Sequence, residues 1–343
     1  KAKENTSCYP DALSFSTMKA GSRSDMIAEL ECKLINIPLT SGYSPSRWKH
    51  LLDVMILKKS GNTLLNALRT IVLFPVDCNY AFKHIGREMM KLGEKTYSIA
   101  PEQYGSRNNH QAIDLAVNKS LTNDILRQLK RPGAICCNDA KSCYDLIGHT
   151  QASLSMQRLG VPTHAVDCLF STLQNATHQV RTAYGDSDYT YGGSDWDIPM
   201  HGIGQGNGAG PAIWAAVSTP ILNMLRSQGL GCQFISPFSN QITKFVGYSF
   251  VDDTDLIISK PSLQCAQQAL FELQRSVDTW EGGLKATCGA LVPEKTYWYL
   301  IDFKWTAGKW SYKSTAECPG SLFANDLYVT VKNFFALNHF KRR

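Results

Sequence analysis

Two adjacent carboxylates, Asp252 and Asp253, stand between two apolar runs at 245–251 and 254–259. The spacing predicts two strands joined by a two-residue turn with both acids at its tip. Like charges held side by side repel unless a cation neutralises them. Mg²⁺ suits such a pair, because it takes one or two carboxylates and fills its shell with phosphates and water. Asp also favours turns for its own reasons, so the pair alone leaves both readings open. Asp139 narrows the choice, since it ends another short apolar strand at 134–138. If the strands are neighbours, Asp139 and Asp252 meet at one sheet edge. Two Mg²⁺ ions roughly 3.5–4 Å apart, with Mn²⁺ as a substitute, would then suit an in-line phosphoryl displacement.

A second chemical feature is His201-Gly202-Ile203-Gly204-Gln205-Gly206-Asn207-Gly208-Ala209-Gly210-Pro211. Alternating glycines let a backbone approach a ligand closely. The segment formally fits a dinucleotide fingerprint, but 196–200 is a weak strand and no acid follows at the required distance. Gln205, just before a helix opened by Pro211, suits contact with a base pair or template backbone better. A third feature is basic. Lys58-Lys59-Ser60-Gly61-Asn62 separates an apolar strand at 54–57 from a return strand at 64–73 that carries Arg69. Lys59 and Arg69 could hold triphosphate oxygens, Arg as a fork and Lys as a point charge; an ordinary basic hairpin is the other reading. His149 and His201 have no partner at metal spacing and read as structural. Asp255 reads as strand-exit polarity or as support for the acids beside it.

Together these segments resemble a reverse transcriptase of the kind encoded by non-long-terminal-repeat retroelements and group II introns. Residues 138–145 resemble the family segment that carries its first catalytic Asp. Gly202 to Pro211 resembles the glycine–glutamine segment, and Phe250 to Asp253 the aspartate-pair box, in matching order and spacing. Lys59-Ser60-Gly61 with Leu68-Arg69-Thr70-Ile71, Glu102 to Arg107 and Pro293-Glu294-Lys295-Thr296 are weaker echoes. Gly210, Thr70 and Pro293 depart from the family pattern, and none of them removes a carboxylate. The resemblance spans about residues 45–305. It implies an RNA-directed DNA polymerase, a nucleotidyltransferase with Asp139, Asp252, Asp253 and Lys295 as catalytic residues and the three acids as metal ligands. It also implies that Lys59, Arg69, Tyr144, Gln205 and Gly206 bind nucleotide. Lys295 would protonate pyrophosphate or else lie solvated on the surface. Tyr144, five residues after Asp139, stands where the family places an aromatic beneath the incoming sugar; it would exclude a 2′-OH, or else simply pack in the core. The implied partners are an RNA template, a DNA primer and a dNTP.

The elements that must position these groups interleave without the even rhythm of a doubly wound sheet. They predict an α+β fold: a polymerase palm, an antiparallel sheet covered by helices on one face, beside an α/β fingers subdomain. Residues 1–25 read as a loose lead-in, 26–132 as fingers and 133–317 as palm, with a fingers-like insertion at about 160–200. Residues 318–343 read as an atypical or truncated end in which no thumb is evident. Helices are expected over 79–92, 109–130, 145–159, 212–225 and 261–280, and a hairpin or loop over 185–199. The helix at 109–130 carries apolar positions such as Ile113, Leu115, Val117, Leu121, Ile125 and Leu129.

The 343 residues are 43% apolar, enough for a sizeable core, with 35 Lys+Arg against 29 Asp+Glu, a net charge of +6. The surplus lies before Asp139, which suggests a polyanion partner. The 11 cysteines contain no paired zinc spacing and read as reduced thiols. The apolar runs are too short to cross a bilayer. The first ten residues lack a signal peptide and read like the start of an excised product, so an intracellular setting, nuclear or cytoplasmic, is expected. A catalytically inactive palm relic or maturase-like RNA-binding module is the rival to an active polymerase.

Overall fold

In the computed structural model of the protein, residues 9, 13–62, 64–194, 200–317 and 320–332 are described. In chain order the elements begin with α1 (Phe15–Gly21), α2 (Asp25–Ser41), β1 (His50–Leu57), β2 (Leu68–Leu73), α3 (Val76–Lys95), α4 (Ala112–Leu129) and β3 (Gly133–Asp139). Next come α5 (His149–Arg158), α6 (Thr163–Gln174), β4 (Thr177–Thr182), β5 (Gly185–Gly192) and α7 (Gly210–Ser227). The remainder is β6 (Cys232–Ile235), β7 (Ile242–Phe245), β8 (Gly247–Phe250), β9 (Asp253–Ile258), α8 (Ala266–Ala286), β10 (Tyr297–Ile301), β11 (Phe303–Thr306), β12 (Lys309–Tyr312), β13 (Leu322–Ala324) and β14 (Leu327–Val331). The chain forms two compact units, Lys1–Ser98 with Tyr144–Ala216, and Ile99–Cys143 with Val217–Arg343. Each unit is therefore woven from two stretches of sequence.

The first unit holds a four-stranded sheet in the order β2-β1-β4-β5. The basic hairpin is its β1–β2 pair, with Arg69 opposite Ile56. The return strand is shorter than the sequence suggested, because Leu65–Ala67 forms a 3₁₀ turn first. The segment expected to be a loose lead-in carries α1, whose Ser14 cap accepts from the Thr17 N–H. One buried polar group joins the strands. Asp53 is 1% exposed and takes the His178 ring nitrogen and the Tyr191 hydroxyl. α3 buries a stripe that includes Cys78, Phe82, Ile85 and Met89, the spacing of one helical face.

The second unit is built on a six-stranded sheet, β13-β14-β10-β3-β9-β8, antiparallel except where β14 runs parallel to β10. Its central strand β3 reads Gly-Ala-Ile-Cys-Cys-Asn-Asp and is buried until Asp139. α8 packs on β3, β9 and β13. Leu126 of α4 joins Ile135, Cys137, Ile257 and Tyr299 in one apolar cluster. Successive strand residues point to opposite faces, and both sets are buried on β3. The sheet is thus covered on both faces around its centre, where the sequence reading placed helices on one face only.

Other differences have local causes. α8 begins later than expected, after a turn at 261–264, and continues through Gly282-Gly283, where Ile221 of α7 packs closely. α5 starts only at His149, because the Ile147 carbonyl accepts from the Gly202 N–H instead of a helical partner. In α4 the buried positions are Thr122 and Leu126, while Ile113, Val117, Leu121, Ile125 and Leu129 are exposed. The segment expected to form a hairpin or loop over 185–199 supplies β5, which pairs antiparallel with β4 as a hairpin, and 195–199 lie outside the described residues. β13 and β14 bring order beyond residue 318, while 333–343 lie outside the described residues. Among the described residues the cysteines are free and no helix is long and apolar enough to cross a membrane.

Candidate active site

The sheet of the second unit brings Asp139, Asp252 and Asp253 to one end. Asp139 closes β3 and stands in register with Asp253, the first residue of β9. The turn residues of the hairpin are Val251 and Asp252, because Asp253 already pairs with Phe250. The sequence reading that put both acids in the turn is corrected by one residue. The Ala140 N–H donates to the Asp252 carbonyl at 3.4 Å, tying the turn to the end of β3.

Lys295 completes this end of the sheet. Ala140 bridges Leu291, the Val292 N–H donates to the Asp139 carbonyl at 3.1 Å, and the 3₁₀ turn Pro293–Lys295 follows directly. This seam delivers the Lys295 ammonium to the Asp139 carboxylate as an ion pair. The Asp139 side chain is 16% exposed and that of Lys295 67%.

The acids crowd one another. Burial pushes Asp252 above the usual carboxylate range and Asp139 adds to the rise, while Lys295 opposes it. Burial likewise raises Asp253, with Asp252, Asp139 and Asp255 adding to it. Asp255 has its own counterion, Lys119 of α4, at 2.5 Å. Burial works against the Lys119 charge, and Asp255 with Cys137 more than offsets it. The Cys137 thiol is pushed up to about 12, first by burial and then by Asp255, so it stays protonated. Sequence reasoning did not find Lys119; a lone Lys on a helix carries no signal of a partner 136 residues away.

Among the described residues no three His, Cys, Asp or Glu side chains close into a metal-holding group. The donor set is nevertheless one that a hard divalent cation suits. It offers acidic oxygens held above the usual carboxylate range first by burial and then by neighbouring acids. Mg²⁺ needs only one or two of them, since substrate phosphates and water supply the rest.

The remaining predicted residues belong to the first unit. Lys59 lies exposed in the β1–β2 connection and Arg69 exposed on β2. The glycine segment packs along β2, with the Val72 N–H donating to the Gln205 carbonyl at 2.8 Å. Gly206 has φ +134°, and a Cβ there would collide with the Val72 carbonyl. Asn79 takes the Gly208 N–H at 2.6 Å and donates to the Gly206 carbonyl at 3.2 Å. The close approach that the glycines permit is therefore to this chain's own β2 and α3. Gln205 is half-buried and Gly206 exposed. Tyr144 is half-buried too, and its carbonyl accepts from the Ile203 N–H at 2.8 Å. Its ring faces Gly210, where a Cβ would sit 3.5 Å away, an ordinary contact. The His149 Nε2–H donates to the Gly202 carbonyl at 2.6 Å.

No protein-family model and no curated protein matches the chain. Among solved structures it is similar to apo telomerase from Candida tropicalis truncated from its C-terminal domain. The TM-score is 0.50 at 13% identity, covering 79% of this chain and 53% of that one. Telomerase from Candida albicans in complex with a fragment of telomeric RNA aligns at a TM-score of 0.47 and 12% identity, over 87% of this chain and 48% of that one. The corresponding Candida tropicalis complex aligns at 0.49 and 13%, over 86% and 50%. The chain thus spans about half the length of the telomerases it matches. At such identity the likeness is one of fold. The fold is α+β, an antiparallel-dominated sheet backed by helices, like that of the Candida tropicalis telomerase.

Proposed function

We propose that this chain is an RNA-directed DNA polymerase domain of a retroelement, of the non-long-terminal-repeat or group II intron kind. It adds a dNTP to a primer 3′-OH by phosphoryl transfer on an RNA template. The observation that carries this reading is the convergence of Asp139, Asp252 and Asp253 at one sheet end, with Asp252 and Asp253 held above the ordinary carboxylate range. The palm fold supports it.

In this reading the three acids hold Mg²⁺, which supplies charge stabilisation at the reacting phosphate and activates the hydroxyl nucleophile. Lys295 keeps Asp139 oriented through their ion pair and carries a proton on Nζ that can pass to the departing pyrophosphate. Lys119 fixes Asp255 and so limits the negative charge beneath the site. Lys59 and Arg69 bind triphosphate oxygens, Tyr144 excludes a 2′-OH, and Gln205 with Gly206 contacts the nascent base pair or template. Template and primer are gripped mostly through phosphates, so binding falls with salt.

A palm relic that binds RNA without synthesis is the second reading, favoured by the pairing of Asp139 to Lys295 and by the open acid set. Single-nucleotide addition at high enzyme and Mg²⁺ separates the two. Binding of primer–template without any addition under those conditions selects the relic.

A further inference from the structure

The turn that carries Asp252 has a backbone its own sequence disfavours. Val251 lies at φ +58°. A β-branched residue in this left-handed region is an outlier that persists only where its surroundings hold it. The segment before α4 does the holding. Gln103 bridges Ser249 of β8 in parallel; the Tyr104 N–H donates to the Ser249 carbonyl at 2.7 Å, and the Ser249 N–H donates to the Glu102 carbonyl at 2.8 Å. The Gln103 side chain, 0% exposed, then closes on the turn. Its Oε1 accepts from the Val251 N–H at 3.0 Å and from the Gly105 N–H at 2.9 Å. Its Nε2 donates to the Val251 carbonyl at 3.3 Å and to the Ser249 hydroxyl at 3.2 Å. One buried amide thus satisfies both backbone groups of the strained residue.

The neighbours of Gln103 fit the same task. A Cβ at Gly105 would stand 2.5 Å from the Val251 nitrogen, so the close approach needs a glycine. Glu102 anchors the other end of the strand, accepting from the Val246 N–H at 3.1 Å while paired to Arg226 at 2.5 Å. Losing the amide would remove these hydrogen bonds from the strained residue and free Val251 to relax toward the extended region. The peptide leading into Asp252 would then turn and carry the carboxylate away from Asp139.

We infer that Gln103 is a positioning residue for Asp252: it locks Val251 in the left-handed conformation and so presets the carboxylate for a divalent cation. The inference rests on the reading of Asp252 as a cation ligand. Gln103 touches neither cation nor substrate and acts only through the turn.

The test uses the full chain with Gln103→Met, Val251→Gly and the two combined. Met nearly conserves the buried volume, and a thermal melt verifies folding. Glycine accepts positive φ without penalty, so it removes the need for the clamp. Two quantities are read without nucleotide: amide exchange at Val251 by NMR, and Mn²⁺ binding by electron paramagnetic resonance. Gln103→Met is expected to speed Val251 exchange about 100-fold and to weaken Mn²⁺ binding about tenfold. Val251→Gly alone should bind Mn²⁺ nearly as the unmodified chain does, and the double variant should recover to within about threefold of it. Unchanged exchange in Gln103→Met, or a double variant that binds as weakly as Gln103→Met, overturns the inference. Mn²⁺ binding that Asp252→Asn leaves unaltered overturns the cation reading instead, and the purpose of the clamp with it; exchange at Val251 still reports the clamp by itself.

Discussion

Lys295 is ion-paired to Asp139 across the seam between the end of β3 and the 3₁₀ turn that precedes β10. The pair couples the first acid of the site to a residue 156 positions later. It makes Asp139 partnered before any cation arrives, whereas burial, with neighbouring acids adding to it, holds Asp252 and Asp253 above the usual carboxylate range.

That asymmetry predicts what Lys295→Ala does. In the proposed reading, removing the ammonium takes away both the proton donor for pyrophosphate and the competitor for Asp139. The maximal rate of single-nucleotide addition should fall roughly 100-fold, the scale of general-acid catalysis. The Mg²⁺ concentration for half-maximal rate should stay level or drop. A rise in that Mg²⁺ requirement would show that Lys295 serves mainly to shape Asp139.

The crowded acids also predict a pH dependence of stability. Asp252 and Asp253 hold protons more tightly in the folded chain than in the unfolded one. Between the ordinary carboxylate value and their raised values the folded chain binds more protons, so stability without cation falls as pH rises through that window and stays lower at pH 7. Mg²⁺ should raise the melting temperature at pH 7 and do little at pH 4. Asp252→Asn should raise the cation-free melting temperature by a few degrees, the effect of about 1 kcal/mol in a domain this large, and should abolish most of the Mg²⁺ response. A lower cation-free melting temperature in Asp252→Asn would contradict the repulsion.

Much of this site is legible in the residues themselves. The run ending at Asp139 and the two runs around Asp252 are short, apolar and bounded by turn chemistry, so strands with acids at their ends follow from pattern alone. What the pattern misses is long-range. Nothing local in Gln103, Lys119 or Lys295 announces the group it meets, because those partners are set by sheet order. α4 is legible as a helix but not in what it buries. Its apolar residues recur every fourth position, which marks a face but not whether the fold covers it, and the structure buries Thr122 and Leu126 instead. The glycine segment is legible only in part. Glycine reports close approach without naming what approaches, and here that is β2.

Gly206→Ala tests this last point. The substituted residue would combine an unfavourable positive φ with a collision at the Val72 carbonyl. A loss of about 2–4 kcal/mol in denaturant unfolding is expected, the range of combined backbone strain and steric conflict. A loss under about 0.5 kcal/mol, as at an ordinary surface site, would show that the loop is free to move off β2.

Tyr144→Ala tests sugar choice. Its ring is half-buried against Gly210, and a purely steric gate loses discrimination when its bulk is removed. Ribonucleotide addition should rise relative to deoxynucleotide addition by about tenfold or more, with deoxynucleotide addition largely kept. Equal loss of both would assign Tyr144 to packing against the glycine segment.

The most direct measurement is single-nucleotide extension of a DNA primer on an RNA template by the unmodified chain and by Asp252→Asn, at high enzyme and Mg²⁺. The unmodified chain should add a deoxynucleotide, and Asp252→Asn should add it several orders of magnitude more slowly, with primer–template affinity little changed. Equal addition by the two proteins, or none by the unmodified chain while it binds primer–template, would contradict the assignment of Asp139, Asp252 and Asp253 as the centre of a polymerase.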